Sequence, residues 1–244
     1  MNHVADLLRS HQGHTAKDWT YRSLVAIIIL AAGLRVVGIS AHGLRPDERA
    51  SVSIAVGSIL TNPIVTADGL FTPGDFWSEN TLHNVVEATI AQAAGNQLLF
   101  NILLHYWIRL LGTQDFFVRL LSVFFGIFAV LLVYQIALVL CSERVARFAS
   151  LLSAVHPLLL LYSQEARAYA AATAFSLVGT LIFIRLTGFG RPETTRGGSW
   201  CVYGLSVGAA LLSHYLTVYI FLGHILFAML RVRDPRVCAV PERH

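Results

Sequence analysis

Residues 120–140 read LLSVFFGIFAVLLVYQIALVL, twenty-one residues without an Asp, Glu, Lys or Arg. A helix rises about 1.5 Å per residue, so about twenty apolar residues cross a hydrocarbon core about 30 Å thick. Working outward, the runs Phe148–Tyr162 and Tyr169–Leu186 follow, and Leu24–Ile39 precedes. The stretch Trp200–Leu230 is too long for one span and is interrupted by His214 and Tyr215, which predicts two short helices meeting there. Composition agrees. Hydrophobic residues make up 55% of the 244 and charged ones 13%, against about 25% charged in a typical soluble domain. Mean hydropathy is +0.62. A soluble globular chain and a disordered one are both excluded. Polar residues fill the N-terminus before the first apolar run, and no small-residue cleavage site follows that run. It reads as a retained anchor rather than a secretory signal.

Charge orients the spans. The links 141–147, 185–199 and 231–236 carry Arg144, Arg147, Arg185, Arg191, Arg196, Arg231, Arg233 and Arg236. The tail before the first span holds Arg9, Lys17 and Arg22. By the positive-inside bias these are cytoplasmic. The long segment 41–118 carries Asp47, Glu48, Asp68, Asp75, Glu79, Glu87 and Asp115 against Arg45, Arg49 and Arg109, and reads as external. It closes with QLLFNILLHYWIRLLG at 97–112, whose Gln97, Asn101, His105 and Arg109 recur every fourth residue. That spacing draws one polar stripe along a helix. A helix lying in the membrane interface fits it, and the parity of the basic links requires that it not cross. The expected fold is all-α and polytopic, with about six spans. Cytoplasmic tails fall at 1–21 and 231–244, and a membrane module covers 22–230.

The net charge of +4 is used up by the cytoplasmic links, and no basic stripe interleaved with aromatics points to nucleic acid. Cys141, Cys201 and Cys238 are odd in number, far apart and on the cytoplasmic side, so neither a disulfide framework nor a zinc site is expected.

The remaining polar residues gather at the external mouth of the bundle. Asp47-Glu48 follows the first span, Gln164, Glu165 and Arg167 link the third and fourth, and His214-Tyr215 link the fifth and sixth. Carboxylates at the edge of hydrocarbon usually face a cavity or a partner. Asp47-Glu48 reads either as the acidic first turn of a helix or as a general base or metal-holding pair. Glu165 and Arg167 read either as a local ion pair or, for Arg167, as a phosphate contact. Arg119 opens a span on the external side, and the same phosphate argument applies to it. Tyr162 and Tyr169 flank the loop as interfacial aromatics do. Histidine spacing supplies no metal motif, and no phosphate-cradling glycine loop or nucleophile elbow is present.

Five segments then carry a resemblance: RPDERA at 45–50, GNQLLFNILLHYWIRLLG at 95–112, FFVRLLSVFFGIFAVLLVY at 116–134, HPLLLLYSQEARAYA at 156–170 and LLSHYLTVYIF at 211–221. In order and spacing the chain resembles the GT-C membrane glycosyltransferases, in particular bacterial members of the dolichyl-phosphate-mannose–protein mannosyltransferase-like group (glycosyltransferase family 39 and relatives). The resemblance implies a sugar donor on a polyprenyl phosphate, transfer on the extracytoplasmic face, and inversion at the anomeric carbon. It implies Asp47 as catalytic base, Glu48 and Glu165 as further catalytic acids, and Arg119 as the arginine before the second span. Gln164, Arg167, Tyr169, His214 and Tyr215 complete the expected substrate-binding set. Family members commonly carry two prolines where this chain has Gln97-Leu98, and they are considerably longer. A truncated product, a half-module awaiting a partner subunit and a minimal enzyme all fit the length.

No cofactor is demanded, although adjacent carboxylates allow a divalent metal. The expected partners are the donor, the lipid bilayer and an acceptor that is a glycan, lipid or protein. The expected location is a bacterial plasma membrane with both termini cytoplasmic. Two other classes compete: an inactive module that binds polyprenyl phosphate, and a transporter fragment. A transporter places its charges near the bilayer midplane, whereas here they sit at one face.

Overall fold

The computed structural model describes residues 21–58, 65–66, 69–70, 81–188 and 198–233. The expected tail 1–20, Asp68, Asp75 and Glu79 of the external loop, Arg191, Arg196 and Cys238 lie outside the described residues. Helix α1 covers 21–36. It is followed by α2 (Pro46–Ala55), α3 (Leu82–Ala93), α4 (Leu98–Leu111) and α5 (Asp115–Leu140). Then come α6 (Glu143–Val155), α7 (Pro157–Ser163), α8 (Tyr169–Leu186), α9 (Gly198–Ser213) and α10 (Val218–Arg233). A short antiparallel hairpin pairs β1 (Val65–Thr66) with β2 (Gly69–Leu70).

Local chemistry explains the boundaries. Pro46 and Pro157 open α2 and α7 at the first turn, where a missing N–H costs nothing. Thr81 and Ser142 cap α3 and α6, their side chains accepting from Asn84 N and Val145 N. Gly112, at φ +95°, ends α4 in a conformation that a side chain resists. His214 breaks the last apolar stretch, and a 3₁₀ turn at Tyr215–Thr217 joins α9 to α10, as the sequence predicts.

The chain is a polytopic helical membrane protein. Among the described residues, α5 and α8 are each long and apolar enough to cross a membrane. The pair α6–α7 makes a third such unit, bent by 58° at His156–Pro157. Helices α4 and α9 and the stretch Tyr215–Leu230 are apolar but shorter. Helix α5 packs against α6, α7 and α8, and α8 packs most extensively against α9. Alanines 170, 171, 172 and 174 are buried along α8 and let neighbouring backbones approach closely. In the other half of α8, His224 of α10 is buried between Thr180 and Tyr203 and stacks on Phe183 at 4.3 Å.

The polar stripe of helix α4 is divided: Asn101 and His105 are buried, whereas Arg109 is exposed. Asn101 Nδ2 donates to Thr89 Oγ1 of α3 at 3.2 Å, and His105 Nδ1 meets the carbonyl of Ala55, the last residue of α2, at 2.7 Å. Tyr106 and Leu110 face outward instead. The cause is the segment between α1 and α4. Its helices α2 and α3 present polar groups inward, and these need partners once buried.

One close crossing is testable. A Cβ on Gly126 of α5 would lie 2.7 Å from Ser163 Cβ and 2.9 Å from Arg35 Nε. Gly126→Ala should therefore destabilise the protein by about 1–3 kcal/mol, the usual range for overpacking. Thermal unfolding in detergent measures it, and an unchanged midpoint would show that α5 and α7 separate freely.

Candidate active site

The charged residues expected at the mouth divide into a buried, fully bonded set and an exposed set. Glu48 and Arg119 form the buried set, with side chains 1% and 5% exposed. Arg119 Nε donates to Glu48 Oε1 and Nη2 to Oε2, both at 2.7 Å. The other two acceptor positions of the carboxylate take Ala166 N at 2.9 Å and Arg45 N at 2.8 Å. The remaining guanidinium donors reach the carbonyls of Ile39, His42 and Gly43. A carboxylate offers about four acceptor positions and a guanidinium five donors, so both groups are saturated. Burial alone pushes the Glu48 carboxyl upward, but Arg119 and the two backbone N–H groups outweigh it and hold it below the ordinary carboxylate range.

This geometry departs from the expected roles of Glu48 in chemistry and of Arg119 at a phosphate. Neither has a free position for a substrate. The pair instead ties loop 39–43, α2, α5 and the loop before α8 into one unit. Gln164 is anchored through its amide nitrogen. Its Nε2 is occupied by the carbonyls of Leu34, Arg35 and Val37, where α1 ends.

The exposed set begins at Asp47, whose side chain is 77% exposed. Its neighbour Glu48 points inward because consecutive helical residues diverge by about 100°. Arg167 approaches from the other loop. Its Nη2 lies 3.8 Å from Asp47 Oδ2, and its Nη1 donates to the Asp47 carbonyl at 3.2 Å. The guanidinium sits over the Tyr169 ring and donates to its hydroxyl, while its Nε is buried with no hydrogen-bond partner. Glu165 pairs with Arg45, one residue before α2.

From Tyr169 an aromatic row continues to Tyr162 on one side and to His214 and Tyr215 on the other, with ring centroids 4.7–5.6 Å apart. His214, in the link outside both neighbouring helices, accepts Leu216 N at its Nδ1. That bond assigns the proton to Nε2. Burial first, and the charge of Arg167 second, hold His214 below the ordinary histidine range and keep it neutral. Tyr215 N donates to Asn96 Oδ1, which moors the link to the α3–α4 turn. The fold thus brings Asp47, Arg167, Tyr169, His214 and Tyr215 into one contact chain, with Glu165 beside it through Arg45.

Among the described residues, no three His, Cys, Asp or Glu side chains gather as metal ligands. The adjacent acids Asp47 and Glu48 do not converge on one point. Arg35 is not among the expected site residues. Arg35 had a signal, being the one charge within the apolar run Leu24–Ile39.

Residues 97–240 match the family described as dolichyl-phosphate-mannose-protein mannosyltransferase. The chain belongs to this family. It is therefore a membrane glycosyltransferase of the GT-C type, and the family implies a sugar donor carried on a polyprenyl phosphate. The matched stretch runs from α4 through α10. It includes Glu165, Arg167, His214 and Tyr215, whereas Asp47 and Glu48 of this mannosyltransferase-family chain precede it. No curated protein and no solved structure matches the chain.

Proposed function

We propose that the protein transfers a sugar from a polyprenyl-phosphate donor to an acceptor hydroxyl on the extracytoplasmic face of a bacterial plasma membrane. The observation that carries this reading is the exposed Asp47 carboxylate beside the partly buried Arg167 guanidinium, in a mouth where Glu48 and Arg119 are spent on each other. Asp47 takes the proton of the acceptor hydroxyl. The freed oxygen pair attacks the anomeric carbon from the face opposite the phosphate, so the configuration inverts. The bond from that carbon to the phosphate oxygen breaks, and its electron pair leaves with the polyprenyl phosphate. Arg167 receives the added negative charge, its Nε being the donor that no protein group occupies. Glu165 holds Arg45 at the same rim. Asp47 returns its proton to water, to which it is open. The acidic segment 41–118 and the arginine-rich links support a mouth on the outer side with both termini inside.

Sugar transfer from a panel of polyprenyl-phosphate sugars by the purified chain tests the reading. Arg167→Ala should raise the donor KM by about 10- to 100-fold, because hydrogen bonds to charged groups contribute about 1.5–3 kcal/mol. Arg167→Lys should fall between, since a point charge lacks the planar fork. Donor binding without turnover across the panel would favour the inactive lipid-binding module. An unchanged KM in Arg167→Ala would remove Arg167 from the phosphate site.

A further inference from the structure

Arg35 lies in the last turn of α1 and is completely buried. Among the described residues, no carboxylate lies within ion-pair distance of it. A cation held that way is costly unless other groups compensate it. The compensation comes from the broken helix pair. Arg35 Nη1 donates to the Ala154 carbonyl at 3.1 Å and to Ala31 of its own helix at 3.1 Å, and Nε donates to Ser163 Oγ at 3.2 Å.

Those partners are not scattered. Ala154 stands in the final turn of α6, just before the break, and Ser163 is the last residue of α7. Pro157 has no N–H to continue the α6 ladder, so carbonyls at the end of α6 lack their usual donors and carry the negative end of the helix dipole. One guanidinium therefore grips the chain on both sides of a 58° bend. The chain answers in the other direction, because Gln164, the next residue after Ser163, covers the carbonyls at the end of α1. The loop that carries Glu165, the Ala166 N–H and Arg167 starts at this double tie. The segment leading to Asp47 starts at its other end.

We infer that Arg35 is a positioning residue, which sets the separation of Asp47 and Arg167 by fixing the α6–α7 bend against α1. The inference rests on the proposed roles of those two residues. It differs from a general packing role in what it predicts. Loss of Arg35 should shift the loop after α7 relative to the external helices and lower turnover more than donor affinity.

The test uses the full chain in lipid nanodiscs, with its three cysteines replaced by serine. Spin labels go at the exposed positions Tyr106 on α4 and Leu158 on α7. The parent should show a single narrow distance. Arg35→Met should shift or broaden it and lower kcat by about a hundredfold, the scale of a 1 Å misplacement of reacting groups, with the donor KM little changed. Ser163→Ala, which removes one tie and keeps the charge, should move the distance the same way by less, and it decides the matter if Arg35→Met does not fold. An unchanged distance in a folded variant would overturn the inference, and so would a kcat loss without a distance change. Absence of turnover in the parent would count against the proposed transfer reaction, while the distance measurement would still decide the role of Arg35.

Discussion

Asp47→Asn is expected to abolish sugar transfer and leave the protein folded in the membrane. The amide keeps the size of the carboxylate but accepts no proton at neutral pH. General-base assistance contributes about 10²- to 10⁴-fold, so a loss of at least that order is expected in kcat, with the donor KM little altered. Stability should hardly move. The side chain is 77% exposed, and its ionic contact to Arg167 is loose at 3.8 Å. Exposed pairs of that kind contribute about 0–1 kcal/mol. Its helix-forming and capping neighbours, Pro46 and Glu48, are untouched. Parallel measurement of transfer and of thermal unfolding separates the two effects. Residual transfer within about tenfold of the parent, well short of the general-base range, would assign the base to another group.

Glu48→Gln should do the opposite, unfolding the mouth of the site instead of silencing a correctly folded enzyme. Removing one partner of a buried ion pair costs about 3–5 kcal/mol because the other charge stays buried without compensation. Here the consequence is wider. Arg119 also holds three carbonyls of loop 39–43, and Glu48 also holds the N–H groups of Arg45 and Ala166. Exchanging both residues for apolar ones therefore leaves five backbone groups without partners, and Glu48→Met with Arg119→Met should not recover stability. The pair also predicts a pH dependence. The folded Glu48 carboxyl lies below its unfolded value, so the unfolded chain binds the proton more readily. Its contribution is complete above the unfolded carboxylate value of about 4.3, and it is lost as pH falls from there through the lower folded value. Unfolding midpoints between neutral pH and pH 3 should decline for the parent and stay flatter for Glu48→Gln. A parent curve no steeper than that of the variant would show that Glu48 is protonated or unpaired in the folded protein.

These two residues are neighbours in RPDERA, and the sequence treats them alike. Both are acids in the first turn after a span, and both resemble the acid pair of the family. What separates them is contact with residues far along the chain. Two of the donors to Glu48, Arg119 and Ala166, stand 71 and 118 positions away. Only packing decides that one carboxylate meets those donors while the other, about 100° around the helix, faces outward. The same holds for Gln164 and for the ties of Arg35 to Ala154 and Ser163, which link residues 119 to 130 positions apart.

Periodicity and hydropathy by themselves determined the helical membrane architecture, the break at His214 and the gathering of Gln164, Glu165, Arg167, His214 and Tyr215 at one end of the helices. They also determined that 97–112 is an amphipathic helix. Those properties follow from bilayer thickness and from the 3.6-residue turn, which local sequence carries in full. The tertiary structure alone decided which way that helix turns its polar stripe, since Asn101 and His105 found partners on α3 and α2. It also decided which charges are spent in structure and which face the mouth. A polar side chain takes whatever buried donor or acceptor the fold brings to it, and helical spacing records the direction of a side chain but not what waits there.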